Sequence, residues 1–118
     1  MDSGEIEPLR WDKGGIIYKP DGSLPWSRIH AQSPRAFDMG NSRLKLVFST
    51  RYEEGRTRPG WIEVNASNPS EVLAVAEHPL LDLGSPGSFD DCGVMPACFF
   101  QENDDLYLFY TGWNTSST

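Results

Sequence analysis

Apolar side chains recur along the chain in short alternating runs of the kind that form β-strands. Leu44, Leu46 and Phe48 alternate along one run, and residues 106–110 repeat the same pattern. Because successive side chains of a strand point to opposite faces, each set lies on one face. A proline-led apolar segment and a polar turn precede each run. We therefore predict two β-hairpins.

The two hairpins match each other in a gapless register of 62 residues. Residues 33–51 lie over residues 95–113, with Phe37 over Phe99. Further upstream, the Gly-Ser pair at 22 falls on another at 84 in the same register. A repeat of about 40–60 residues built from antiparallel strands is typical of a propeller blade.

Further strands are predicted between and before the hairpins. Residues 59–65 and 71–76 carry branched and aromatic side chains bounded by turn residues, and they complete a first blade over residues 28–76. Residues 77–114 supply a partial second blade with two strands. Residues 11–20 contain an apolar stretch that we predict to be an N-terminal outer strand.

The sequence therefore predicts an all-β fold, a truncated β-propeller that occupies residues 1–118 as a single domain. Chain length agrees with one domain, and 38% apolar and 12% aromatic residues are enough for a core. Trp11, Trp26 and Trp61 are predicted to pack between sheets.

The excess of acidic over basic side chains restricts the classes of partner that the chain is expected to bind. There are 17 acidic and 10 basic side chains, which give a formal charge of −7. Such a charge repels phosphate backbones, so nucleic acid is not an expected partner. No apolar run reaches the ~18 residues of a membrane span, and residues 1–10 are too polar for a secretory signal. We expect a cytoplasmic protein with no membrane partner.

The two cysteines, Cys92 and Cys98, lie six residues apart in one extended segment. This separation along a strand is too long for a bond between them. No Cys-x-x-Cys pair or Cys/His cluster is present, so neither a metal site nor a cofactor is predicted. Two reduced, partly buried thiols are expected.

Two strings in the second hairpin point to a family. The string LGSPGSFDDCGVMPACFF at 83–100, followed by LYLFYTGWN at 106–114, resembles an uncharacterised branch of the five-bladed propeller glycosidases. That superfamily includes arabinanases, xylosidases, invertases and levansucrases. The string GSLPWSRIHAQSP at 22–34 looks like the entry to their first blade, and the resemblance runs from about residue 11 to residue 114.

The resemblance implies a ring of five blades around a funnel lined by acidic residues. Glycoside hydrolysis needs two carboxylates on opposite sides of the scissile bond, which one and a half blades do not furnish. In the relatives a catalytic aspartate lies near the position of Pro34. Here Arg35 follows that proline, and residues 29–37 contain no carboxylate. We therefore expect no catalytic residues and no enzymatic activity from this chain.

Six side chains are candidate ligand contacts, because the resemblance places them at the funnel: His30, Gln32, Arg51, Asp90, Asp91 and Trp113. Arg51 would clamp a carboxylate or phosphate, and Trp113 would stack on a sugar. The structural alternatives are an ion pair of Arg51 with Glu53 or Glu54, and packing of Trp113 against its neighbours.

The other candidates have structural alternatives too. Asp90 and Asp91 stand in a turn-forming segment before Gly93 and would bond to their own backbone. Adjacent carboxylates on an extended chain point to opposite faces, so they are not an acid–base pair. His30 would be a hydrogen-bonded structural histidine.

Three functions follow from these expectations. The first is a self-associating homo-oligomer, because an open ring leaves edge strands and apolar faces bare. The side chains expected to face absent blades are Leu46, Phe48, Leu108 and Phe109. The second is a module that binds a carbohydrate or another small ligand. The third is a glycoside hydrolase whose site is completed by oligomerisation.

Overall fold

The computed structural model describes residues 6–51 and 55–115, and this part of the chain is all-β. No helix occurs among the described residues. The strands are β1 (Ile29–Gly40), β2 (Arg43–Arg51), β3 (Thr57–Asn65), β4 (Asn68–Val75), β5 (Gly93–Glu102) and β6 (Asp105–Trp113). The prediction of an all-β chain is confirmed, and each of the four predicted strands from residue 33 to 76 is present.

The strands form one open sheet with two antiparallel parts. β1 to β4 pair in chain order as a four-stranded meander, and β5 pairs with β6 as a hairpin. A single parallel pair between Thr57 and Gly93 joins the two parts. Two strands therefore pair with the same edge of β3: β4 with its second half, and the start of β5 with its first residue.

Two-residue turns close both predicted hairpins. In the first turn, Asn41 and Ser42 both have positive φ angles, 52° and 60°. In the second turn, Asn103 has a φ of 55°. Positive φ at both central residues matches the right-handed twist of the flanking strands, and asparagine tolerates it better than most residues. Both polar turns lie where the sequence predicts them.

The core of the meander forms around Trp26, which precedes β1. Its ring is fully buried at 5.7 Å from the ring of Phe48, and its Nε1 donates a hydrogen bond to the carbonyl oxygen of Ala76 at 2.8 Å. The indole lies flat on Gly60 of β3, where a Cβ atom would approach Trp26 to 2.1 Å. Glycine is therefore needed at this position. Ile62 and Val64 complete the buried cluster.

The meander has two faces, which are named here by the residues they carry. Pairing places Leu46 opposite Ile62, and these two share the "rear face" with Phe48. Val47, opposite Arg35, lies on the other side, the "forward face". On the hairpin of β5 and β6, the faces are named from the residues of β6 that match Val47 and Leu46 in the 62-residue repeat, because a bulge in β5 shifts its alternation.

The hairpin packs on the forward face of the meander. The ring of Phe37 lies 5.6 Å from that of Phe99, and the Ser49 hydroxyl donates to the carbonyl oxygen of Val94 at 2.6 Å. This packing leaves Val47 only 1% exposed. The forward face of the meander is therefore an internal junction around Val47.

Three expectations on packing are wrong. Residues 14–19 form no strand, because they pair with none of β1 to β6 and a strand without a partner is not stable. Trp11 is exposed rather than packed. Phe48 faces no absent blade, because Trp26 and Tyr18 cover it, the latter at 5.6 Å between ring centroids. The expected burial of Trp26 is confirmed.

Cys92 is buried and Cys98 is exposed, and both thiols are free. Within the described residues, no helix is long and apolar enough to cross a membrane.

Candidate functional site

The pairing registers bring the ends of five strands into one row across the sheet. Ile29 lies opposite Arg51, Arg51 opposite Thr57, Thr57 opposite Gly93, and Gly93 opposite Trp113. We call this row, together with residues 30–32 and the loop 84–92, the "polar edge". All six candidate contacts predicted from the sequence lie along it.

The start of β1 is irregular where it carries His30 and Gln32. His30 and Ser33 have positive φ angles of 63° and 54°, and the pairing with β2 shifts register on both sides of Gln32. Left-handed backbone is unfavourable for residues with a Cβ atom, at a cost of about 1–3 kcal/mol each. His30 is exposed, whereas Gln32 is half-buried opposite Ser49.

His30 lines an open cleft of about 360 Å³ together with Tyr18 and Ile29. A larger cleft, of about 680 Å³, lies beside it between residues 21–25 and Arg28. That larger cleft contains none of the six candidates. A ligand that contacts His30 would therefore lie in the smaller cleft.

Arg51 is exposed at the end of β2. Its predicted ion pair with Glu53 or Glu54 concerns side chains outside the described residues. The register places Arg51 beside the start of β1, so it stands next to the segment that carries His30 and Gln32. The structure thus brings these three candidates into one group.

Asp90 is turned inward and both of its carboxylate oxygens are engaged. Tyr110 donates its phenol hydrogen bond to Oδ2 at 2.8 Å, and the Ser88 hydroxyl lies 3.1 Å from Oδ1. Gly84 lies so close that a Cβ atom there would come within 1.9 Å of Oδ1. These contacts match the structural alternative, in which the carboxylate holds a turn. The same hydrogen bond raises the pKa of Tyr110, because the phenolate would face the Asp90 charge.

Asp91 points the other way and closes the loop before β5. Its Oδ2 accepts a hydrogen bond from the Gly87 amide at 2.8 Å, whereas its buried Oδ1 has no hydrogen-bond partner in the described part of the chain. The Gly87 amide is the main cause of a lowered pKa for Asp91, and the Cys92 thiol and the positive charge of Arg56 lower it further. Asp91 is therefore a carboxylate held in its charged form.

Trp113 packs across the junction between β3 and β5. Its Nε1 donates to the Thr57 hydroxyl at 3.1 Å, and it lies over Gly93, where a Cβ atom would come within 1.7 Å. The indole is half-buried. Its contacts join the end of β6 to the start of β3. Stacking of a sugar on the exposed part of the indole stays a prediction.

The structure therefore divides the six candidates between two parts of the polar edge. His30, Gln32 and Arg51 meet at β1 and β2, and the others lie around the start of β5. The parallel Thr57–Gly93 pair connects the two groups. No group of three or more His, Cys, Asp or Glu side chains is arranged to hold a metal ion among residues 6–51 and 55–115.

The sequence did not predict Tyr110 or Thr57 as partners in this region. One signal was available for the first, because Tyr110 stands over Phe48 in the repeat. A phenol in place of a phenyl ring at a half-buried position requires a hydrogen-bond partner. Thr57 carries no such signal, since its role depends on a contact 56 residues along the chain.

Two curated proteins are similar to this chain, and both are named as uncharacterized proteins of Mycobacterium tuberculosis, one from each of two strains. Each is 34% identical over 110 residues, which are 93% of this chain and 37% of the relative. The chain thus spans a little over a third of the length of the curated relatives it matches. No family model matches the chain. No solved structure matches it either.

Proposed function

We propose that this chain is a non-catalytic, glycosidase-like propeller segment that associates with other copies of itself through open blade faces. One comparison carries the proposal. Val47 on β2 is 1% exposed, whereas Phe109, its equivalent on β6, is 55% exposed. A large aromatic side chain left half bare on a sheet favours association, because burying its apolar area is worth about 25 cal/mol per Å².

Contacts between equivalent positions support a propeller. Phe37 packs on Phe99, and Arg35 hydrogen bonds to the carbonyl oxygen of Ala97. Each of these pairs is separated by the repeat length of 62 residues. Equivalent positions touch in this way when units are placed side by side around an axis with their inner strands adjacent. The length of the relatives agrees, because 110 residues are 37% of it. Each relative is therefore about 300 residues long, close to five such units.

A second comparison supports the proposal that the hairpin is part of a blade. The aromatic residue before each hairpin packs on an aromatic of its second strand, as Trp26 does on Phe48 and Phe89 does on Tyr110. Trp26 is 0% exposed because β3 and the end of β4 enclose it, but Phe89 is 61% exposed. The hairpin thus has the first half of a blade without the cover that the meander has.

The non-catalytic part of the proposal follows from the carboxylates. Asp90 has both oxygens engaged by Ser88 and Tyr110, which leaves Asp91 as the carboxylate of the polar edge with an unoccupied oxygen. Glycoside hydrolysis requires a second carboxylate across the sugar. A hydrolase would need that group from another copy, and turnover of aryl glycosides that is lost in Asp91→Asn would support it.

Sedimentation velocity over a micromolar concentration range tests the proposal. We expect the weight-average sedimentation coefficient to rise with concentration, and to rise further in moderate salt, because salt screens the repulsion between copies of charge −7. A single species with the mass of one chain at every concentration would overturn it.

Carbohydrate binding is a second candidate, favoured by the grouping of His30, Gln32 and Arg51 at one end of the sheet. Polar groups that converge beside a cleft are typical of a small-ligand site. Titration calorimetry against a panel of sugars and nucleotide sugars tests it, with Arg51→Ala as the variant expected to lose binding. Arg43→Ala is the matched control, because Arg43 lies at the opposite end of β2 and pairs with Glu63. Absence of heat across the whole panel would end this candidate.

A further inference from the structure

Within one chain, the forward face of the meander packs on the rear face of the hairpin. The meander contributes Phe37, Val47 and Ser49 to this junction, and the hairpin contributes Phe99 and the backbone of Val94. Two surfaces of the same kinds remain open. They are the forward face of the hairpin and the part of the rear face of the meander that Trp26 and Tyr18 leave uncovered.

The open forward face of the hairpin is apolar along its middle. Pairing places Phe109 opposite Cys98 and Tyr107 opposite Phe100, so that all four side chains share one face. The three aromatic side chains are each about half exposed. In contrast, the forward face of the meander carries charged Arg35 and Lys45. Glu102 and Asp105 continue this face at the turn and are exposed, so the aromatic middle can be buried while both carboxylates stay in water at its edge.

The accessible part of the rear face of the meander is an apolar cleft of about 210 Å³. Its floor is formed by Leu46, Phe48 and Ile62, and Ala31 and Pro34 of β1 form one rim. The segment 15–18 forms the other rim, since it passes over this face without pairing as a strand. The cleft is thus a concave apolar surface of the kind that exposed aromatic side chains fill.

We propose that the forward face of the hairpin in one copy docks on the rear face of the meander in the next copy, head to tail. The inference rests on the proposed self-association and specifies its geometry. Within the chain, a forward face already packs on a rear face at the internal junction, although with different side chains. Joining them between chains repeats it and brings together two apolar surfaces, even though each copy carries a net charge of −7. A contact between unlike faces is heterologous, so it either closes a ring or extends a chain of copies.

A mixing experiment with two variants separates this geometry from a symmetric dimer. Phe109→Glu places a charge on the forward face of the hairpin. Ala31→Glu places one on the rim of the rear cleft, at an exposed position outside the core. Each variant alone retains one working face, and we expect each to be monomeric in sedimentation velocity. Mixed together, one supplies the intact forward face and the other the intact rear face.

The mixture is expected to give a dimer and nothing larger, because the outer faces of that dimer are both blocked. Tagging one variant and isolating it with the untagged partner identifies the species. Leu81→Glu is the matched control, since it adds the same charge at an exposed leucine between β4 and β5 and is expected to associate as the unaltered chain does. Tyr107→Glu gives a second block on the forward face should Phe109→Glu lose its β-sheet circular dichroism.

The results distinguish this inference from the proposed function. If the unaltered chain is monomeric, self-association itself fails, and the open faces belong to further blades of a longer polypeptide. If the unaltered chain associates but the two variants do not pair, or if Phe109→Glu and Tyr107→Glu associate normally, the head-to-tail geometry is overturned while self-association stands.

Discussion

At the residue scale, the contact between Trp26 and Gly60 allows the packing of the core to be tested directly. We expect Gly60→Ala to lower the free energy of unfolding by about 1–3 kcal/mol, because the added methyl group overlaps a buried ring that has no room to move. Urea unfolding followed by tryptophan fluorescence measures the change.

Gly14→Ala is the control for this substitution. Nothing lies within 4 Å of a Cβ atom at Gly14, so the same methyl group has free space there. We expect its unfolding midpoint to match that of the unaltered chain. Equal midpoints for Gly60→Ala and Gly14→Ala would show that Trp26 is not seated on β3.

Asp91 makes the stability of the folded chain depend on pH. The Gly87 amide lowers the pKa of Asp91 in the folded state. The unfolded pKa is about 3.9, so its contribution to stability is complete above that value and is lost as the pH falls through the folded pKa. We expect Asp91→Asn to be less stable than the unaltered chain at neutral pH and the difference to shrink in acid.

Thermal unfolding at a series of pH values checks the Asp91 prediction. Asp12→Asn removes the same charge from an exposed position before β1 and is expected to show no such trend. A stability difference for Asp91→Asn that stays constant into strong acid would contradict the prediction, because it would have to arise from shape rather than charge.

The sequence predicted the location of the acidic pair but not its two orientations in detail. Alternation indicated that Asp90 and Asp91 point apart, and they do, toward Tyr110 and Gly87 respectively. The partner of Asp90 lies 20 residues away, on a strand whose register shifts at a bulge between Pro96 and Cys98. Such a shift depends on the folded pairing, so the pattern of side chains alone does not reveal it.

At the element scale, the first hairpin turn is strained by its second residue. Ser42 has a φ of 60°, a conformation that costs an L-residue with a Cβ atom roughly 1 kcal/mol or more. Glycine adopts it freely but loses more entropy on folding. We expect Ser42→Gly to stabilise the chain by up to about 1 kcal/mol, with the Asn-Gly sequence that such turns favour.

The second hairpin supplies the matched control for this substitution. Asp104 occupies the equivalent place, but among the described residues it is not one with a positive φ. Asp104→Gly should therefore bring only the entropic cost and leave the chain no more stable. Equal gains from both substitutions, measured by urea unfolding, would show that the two turns do not differ as described.

Elements with a local partner were predictable, and those that depended on a distant partner were not. Both hairpins carry their turn and both of their strands within about 20 residues, so alternation and turn residues suffice. Residues 14–19 show a similar apolar pattern but lie unpaired over the rear face of the meander. Their pattern marks a segment that covers apolar surface, and only a neighbouring edge would make it a strand.

At the scale of the whole molecule, the repeat predicted which units are equivalent but not how one sits on the next. The contact of Phe37 with Phe99 joins equivalent positions through unlike faces. Phe48 shows the limit of prediction from pattern alone, because its cover comes from Trp26, which lies outside the matched hairpins. Burial on a given face depends on what the rest of the chain places there, and a two-residue period says only that the face is apolar.

The two cysteines allow the accessibility of the forward face of the hairpin to be measured in solution. Cys98 is exposed on the forward face of the hairpin, opposite Phe109, whereas Cys92 is buried. We expect one thiol per folded chain to react quickly with a maleimide at low concentration. The rate should fall as the chain concentration rises, because a docked copy covers Cys98. Cys98→Ser should abolish the fast reaction, and Phe109→Glu should remove its dependence on concentration. A rate for Cys98 that is the same in monomeric and associated samples would mean that association uses another surface.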